Sequence, residues 1–276
     1  MGNVIFIVWR ESVEALLVIG ILYAWLNQRE DVAQGKRFLW GGVLAGIGMA
    51  LALGGIMLKV QSDLAGAALD YFQIGIMLAA AFLIVQMVFW MRRNGRTLKR
   101  ELEAGMERAA GDANWWGMAV LAAFAVGREG AETVVFLYGA GLAQTGMAQM
   151  QFLGAAILGF GLAVLTFWLL SRSSHFMPWK VFFRFSEVVL LLLAGALLAD
   201  AVDRLIGMGV IPALIDPVWN SEFLLDDTTR FGGLVSALTG YRAHPALSLL
   251  LVYTAYWIVM FILFRWTAMP KQQAAR

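Results

Sequence analysis

The chain has 276 residues, 61% of them hydrophobic and only 14% charged, against about 45–50% and about 25% in soluble domains. The charges are squeezed into short clusters between apolar runs of about 20 residues, which excludes a soluble globular protein and predicts an all-α polytopic membrane protein. The net charge of +2 comes from basic residues in the segments between those runs, where membrane orientation explains them and nucleic-acid binding is not needed. With no cysteine there is no disulfide and no thiolate metal site, so any bound metal must use oxygen or nitrogen ligands.

Seven apolar stretches are long enough to cross a bilayer, and the whole chain reads as one transmembrane domain. The first, 4–27, has no basic segment before it and no small-residue cleavage site after it, which predicts an uncleaved span. It carries Arg10, Glu11 and Glu14. The second, 38–58, holds Gly41, Gly46 and Gly48, and the third, 71–91, holds Gln73 and Gln86. Residues 92–114 mix basic and acidic side chains with helical pairs such as Lys99 and Glu103, which predicts a solvated cytoplasmic helix. The fourth span, 115–138, carries Arg128, Glu129 and Glu132. The fifth, 151–171, has Gly154, Gly159 and Gly161. The sixth, 181–200, has Glu187 near its inner end and Asp200 near its outer end. An acidic outer loop, 201–245, reads as a solvated connection able to attract cations or dock a partner, and the seventh span is 246–264.

Lys and Arg concentrate around 28–37, 92–114, 172–184 and 265–276, whereas the other loops hold only Lys59, Arg204, Arg230 and Arg242. The excess of positive charge predicts an outside N-terminus and a cytoplasmic C-terminus. Trp25, Trp40, Trp90, Trp115, Trp116, Trp168, Trp179 and Trp266 fall near the ends predicted to be cytoplasmic, where an indole prefers the interface.

Shifted by 113 to 118 positions, the chain matches itself. Arg10, Glu11 and Glu14 fall on Arg128, Glu129 and Glu132, the three glycines of span two fall on those of span five, and Gln73 and Gln86 fall on Glu187 and Asp200. Repeat one is about 1–92 and repeat two about 114–204, each with three spans, so the second copy must enter from the opposite side. The expected architecture is a 3+3 inverted repeat with a seventh helix appended and a substrate site near the midplane. The matched glycines are expected to bring backbones close together.

Each Arg-Glu-x-x-Glu places three ionisable groups inside hydrocarbon, at about 2.5–3.5 kcal/mol apiece on insertion scales. One helical face then presents two carboxylates with a guanidinium alongside. Ion pairs locking two helices would explain one base per acid, but four carboxylates face two guanidiniums and a charge of −2 is left over. That surplus fits a cation site, and all-carboxylate ligation suits Fe(III), Mn(II), Mg(II) or Ca(II). Neither buried haem ligands nor a nucleotide-binding motif is present, so a redox enzyme or ATPase is not expected.

The paired Arg-Glu-x-x-Glu in a seven-span chain resembles the oxidase-dependent iron permeases of fungi and bacteria, the Ftr and EfeU type, over nearly the whole length, including Pro212 to Trp219 and Gly240 to Pro245. The resemblance implies a multi-pass protein of the bacterial inner membrane that is not an enzyme and uses no cofactor, iron being its transported substrate. It implies Fe(III) import, Glu11, Glu14, Glu129 and Glu132 as iron-binding residues, Arg10 and Arg128 as their motif partners, and a periplasmic oxidase, cupredoxin or iron-binding protein as supplier. Glu187, Asp200 and Gln73 are candidate pathway residues, Gln73 standing where the family leads one to expect a Glu. Bare charge balance instead favours a divalent ion such as Fe(II), Mn(II) or Pb(II). The ferric expectation relies on Arg10 and Arg128 turning towards backbone carbonyls or other partners, and on a trivalent ion gaining most from carboxylate ligands.

Overall fold

A computed structural model describes residues 2–27, 32–94, 115–140, 147–172 and 179–268. These form eight helices and no strand: α1 (Gly2–Leu26), α2 (Val32–Asp63), α3 (Ala67–Asn94), α4 (Trp116–Gly139), α5 (Met147–Arg172), α6 (Trp179–Gly207), α7 (Arg230–Thr239) and α8 (Leu247–Ala268). Five of them, α2, α3, α5, α6 and α8, are long and apolar enough to cross a membrane by length and composition alone. The other two long helices, α1 and α4, are the ones that carry an Arg and two Glu each. The cytoplasmic helix expected within 92–114 lies largely outside the described residues.

The helices outrun the apolar stretches because polar residues continue the same backbone beyond the hydrocarbon: α2 takes in Lys36 and Arg37 at one end and Lys59, Gln61 and Asp63 at the other. The 201–245 connection is not a plain loop. It contains α7, opened by the Thr229 hydroxyl accepting from the Gly232 amide and closed by Gly240 in the left-handed region at φ 74°. Arg242 ties it to α6 through Asp200 and Asp203, the latter at 2.8 Å.

Packing alternates in direction. Helix α2 runs parallel to α4, with Gly35 against Trp115, Gly46 against residues 123–127 and Gly54 near Val134. Helix α1 likewise runs parallel to α5, with Gly159 against residues 5–9 and Gly20 against Phe167. By contrast α1 is antiparallel to α4, since Ile7 shares a cluster with Phe136 while Leu22 and Leu26 share another with Met118 and Ala122. Antiparallel pairing also joins α3 to α6, where Gln73 accepts from Arg204 at one end and Arg92 meets Glu187 at the other.

One close approach occurs twice. A Cβ added to Gly46 would lie 2.9 Å from the Ala123 carbonyl oxygen, 2.9 Å from Val126 Cβ and 2.8 Å from the Gly127 nitrogen. A Cβ on Gly159 would lie 2.6 Å from the Ile5 carbonyl oxygen, 3.0 Å from Val8 Cβ and 3.2 Å from the Trp9 nitrogen. Residues 5, 8 and 9 correspond to 123, 126 and 127 at the offset of the two motifs, and Trp9 and Gly127 each precede a motif arginine. These contacts hold both motifs against the middles of α2 and α5. The other matched glycines, Gly41, Gly48, Gly154 and Gly161, have nothing within 4 Å, so the close-packing role expected of all six belongs to one pair.

Because backbone atoms cannot move aside as a side-chain tip can, Gly46→Val and Gly159→Val should each cost about 1–3 kcal/mol or more through overpacking. Gly41→Val and Gly48→Val should be close to neutral. Thermal unfolding of the detergent-purified protein separates the two sets, and equal melting temperatures for Gly46→Val and Gly41→Val would refute the assignment.

Candidate metal site

The motif residues of α1 and α4 converge where the two helices cross. Glu11, Glu14 and Glu129 each bring one carboxylate oxygen to within 4.8 Å of the others. Oxygens on opposite sides of one ion stand about 4–5 Å apart at metal–oxygen distances of about 2.0–2.6 Å, a spacing that a single cation could bridge here. The second oxygens of Glu11 and Glu129, and one oxygen of Glu132, are buried with no hydrogen-bond partner among the described residues. Buried acceptors left unsatisfied are costly, and a cation is what would satisfy acceptor-only groups. Glu132 falls outside the group of three. Its Oε1 instead accepts from Arg128 Nε at 2.9 Å.

Arg10 is fully buried. Its guanidinium donates to Glu11 Oε1 at 2.6 Å, to Ser186 Oγ at 3.2 Å and to the Met87 and Met91 sulfurs at 2.9 Å each, and it pairs with Glu14 one turn on. No backbone carbonyl is among these partners; Arg10 shares its donors between the two carboxylates and other partners, Ser186 and the two methionine sulfurs. Arg128 is different: its side chain is 44% exposed and its guanidinium carbon lies 4.7 Å from the centre of the Trp90 ring. Beside it is a cavity of about 270 Å³ lined by Leu83, Gln86, Met87, Trp90, Arg128 and Glu132.

Comparison with known proteins gives the family. The profile of the iron permease FTR1 family matches residues 1–270. The chain belongs to that family. Among similar proteins are the ferrous iron permease EfeU of Shigella sonnei strain Ss046 and that of Escherichia coli O157:H7, each 27% identical over 98% of this chain and 96% of theirs. EfeU of Yersinia pestis is 27% identical over 94% of this chain and 91% of its own. No solved structure matches. This FTR1-family permease is accordingly a multi-pass iron transporter of the bacterial inner membrane, with long apolar helices to match.

The remaining sequence candidates of the permease fall outside the group of three clustered carboxylates. Glu187 meets Arg92 at 2.5 Å, Asp200 meets Arg242, and Gln73 accepts from Arg204, so each candidate pathway residue holds an arginine. His244 sits 3.7 Å from Glu222 in the outer connection. Ser186, Met87 and Met91, which seat Arg10, carried no signal in the sequence. Trp90 did, as an expected interfacial anchor, and it also faces a motif arginine. Gln86, noted only as the repeat mate of Asp200, lines the cavity beside Glu132.

Proposed function

We propose that this permease imports iron through a midplane site in which Glu11, Glu14 and Glu129 are the first ligands and Glu132 the fourth, Arg10 fixing the α1 carboxylates. The observation that carries the reading is the convergence of three carboxylates from two helices, with buried oxygens that have no donor among the described residues. The repeated Gly46 and Gly159 contact and the alternation of helix directions support seven spans built as an inverted repeat plus α8. The positive charge near 28–37, 92–114, 172–184 and 265–276 supports an outside N-terminus. Single cysteines test this in a chain that has none: one at Ala109 should react with an impermeant reagent only after the cells are opened, and labelling in intact cells would reverse the topology.

Fe(II) is the favoured cargo. With Arg10 and Arg128 both paired to the motif carboxylates, the site carries −2, which a divalent ion neutralises. The relatives' name, ferrous iron permease, points the same way. Import of Fe(III) from a periplasmic oxidase, cupredoxin or iron-binding protein is the second reading, favoured by the exposure of Arg128, which is not sealed in as Arg10 is. In cells lacking other iron importers, the protein should take up Fe(II) anaerobically without an oxidant. Uptake confined to Fe(III) would replace the first reading by the second.

A further inference from the structure

The two motif arginines are not equivalent, although the sequence repeats them. Arg10 is sealed among Glu11, Glu14, Ser186 and two methionine sulfurs. Arg128 has one close ion-pair partner, Glu132, a distant one in Glu129 at 4.0 Å, an aromatic face, and open space alongside. We propose that Arg128 is a movable counter-cation whose position sets the valence the carboxylate site accepts, with Trp90, which it already touches beside Glu132, remaining its support when displaced. The proposal rests on the carboxylate-site reading above and adds to it a positioning residue and a specificity determinant.

The charge follows from geometry. An arginine stays protonated at any working pH, so its contribution changes only by moving. Seated on Glu132, it leaves the four carboxylates and two guanidiniums at −2, matched to a divalent ion, with Glu132 held apart from the group of three. Moved along Trp90 into the cavity, it frees Glu132 to join them and leaves a site of −3, matched to a trivalent ion. The cavity, about 270 Å³, has room for the guanidinium and several waters at about 30 Å³ each. A cation over an indole face needs no carboxylate, so Trp90 can hold Arg128 after Glu132 lets go, and Gln86 on the same wall supplies an acceptor oxygen. Arg10 has no such alternative.

The test uses redox-inert probes, Mn(II) and Ga(III), binding to the full-length protein in detergent. Arg128→Gln should tighten both and raise the Ga(III)-to-Mn(II) affinity ratio by about tenfold or more, since each added ionic charge gains from the lost repulsion. Trp90→Ala should weaken Ga(III) binding by up to about tenfold, because the indole contact that supplements Glu132 in the seated state must carry Arg128 alone once it is displaced, and leave Mn(II) within about twofold. Trp90→Phe, which keeps a weaker face, should fall between. In the Arg128→Gln background Trp90→Ala should have no further effect, which a merely structural tryptophan would not satisfy. An unchanged ratio in Arg128→Gln, or equal Trp90→Ala losses in both backgrounds, overturns the proposal; should Arg128→Gln not fold, the Trp90 series alone decides, and equal losses of both ions overturn it. Wild-type binding of both ions by Glu129→Ala would instead mean that the carboxylate site itself is misassigned.

Discussion

Glu14→Ala and Glu129→Ala are expected to abolish iron uptake while the protein still inserts. Each removes one of three oxygens that converge within 4.8 Å: Glu14→Ala leaves one carboxylate on each helix, Glu129→Ala leaves both on α1, and two carboxylates do not enclose an ion. Loss even of groups that merely orient metal ligands costs 10–100-fold, so losing a ligand should cost at least about 100-fold. Aspartate is a poor substitute, because it withdraws the carboxylate by one bond, about 1.5 Å, on a helix held rigidly by the Gly46 and Gly159 contacts. Glu132→Ala should be the mildest of the four for a divalent ion, since Arg128 already holds that carboxylate apart. Radiolabelled iron uptake, normalised to the amount of inserted protein, is the measurement. Wild-type rates for either Glu14→Ala or Glu129→Ala would remove the site from consideration.

Arg10→Met should leave little folded protein. The side chain is wholly buried, and its loss would strand Glu11 and Glu14 without a counter-charge, at about 3–5 kcal/mol for breaking a buried ion pair. Against a total stability of about 5–15 kcal/mol that is a large share. Arg10→Lys keeps the charge but replaces a planar fork of five donors with a single ammonium, which cannot serve Glu11, Glu14 and Ser186 together. It should fold with a lowered melting temperature and impaired transport. Arg128→Lys, at a half-exposed position with one close ionic partner, should keep nearly the wild-type melting temperature. Equal melting temperatures for Arg10→Lys and Arg128→Lys would contradict the asymmetry.

The motifs and their helices were legible because charge in a hydrophobic run is conspicuous: Arg10, Glu11, Glu14, Arg128, Glu129 and Glu132 are the ionisable groups that interrupt the first and fourth apolar stretches. The repeat offset also picked out Gly46 and Gly159. What the sequence could not separate was one glycine from another, since Gly41 and Gly46 differ only in which face of α2 meets α4. Nor did two identical motifs reveal unlike arginines, because the difference lies in non-repeated neighbours: Ser186, Met87 and Met91 around one, Trp90 and a cavity around the other. The order of the outer connection was hidden too. Its turns depend on single side-chain contacts, such as Thr229 to Gly232 and Arg242 to Asp203, which leave no periodic trace.

The crossed pairing of α1 with α5 and of α2 with α4 also bears on how the chain is made. When the first three helices have left the ribosome, the groove at Gly46 still lacks the stretch 123–127 that fills it, and Ser186, which seats Arg10, lies 176 residues downstream. Helix α1 must therefore wait in the bilayer or beside the insertion machinery with three ionisable groups aboard. Glu11 and Glu14 sit one residue and one turn from Arg10, so the guanidinium finds partners within its own helix before any other helix arrives. The local spacing that later presents carboxylates to a metal thus also gives the newborn helix a partly self-neutralised form in which it can be delivered to the membrane.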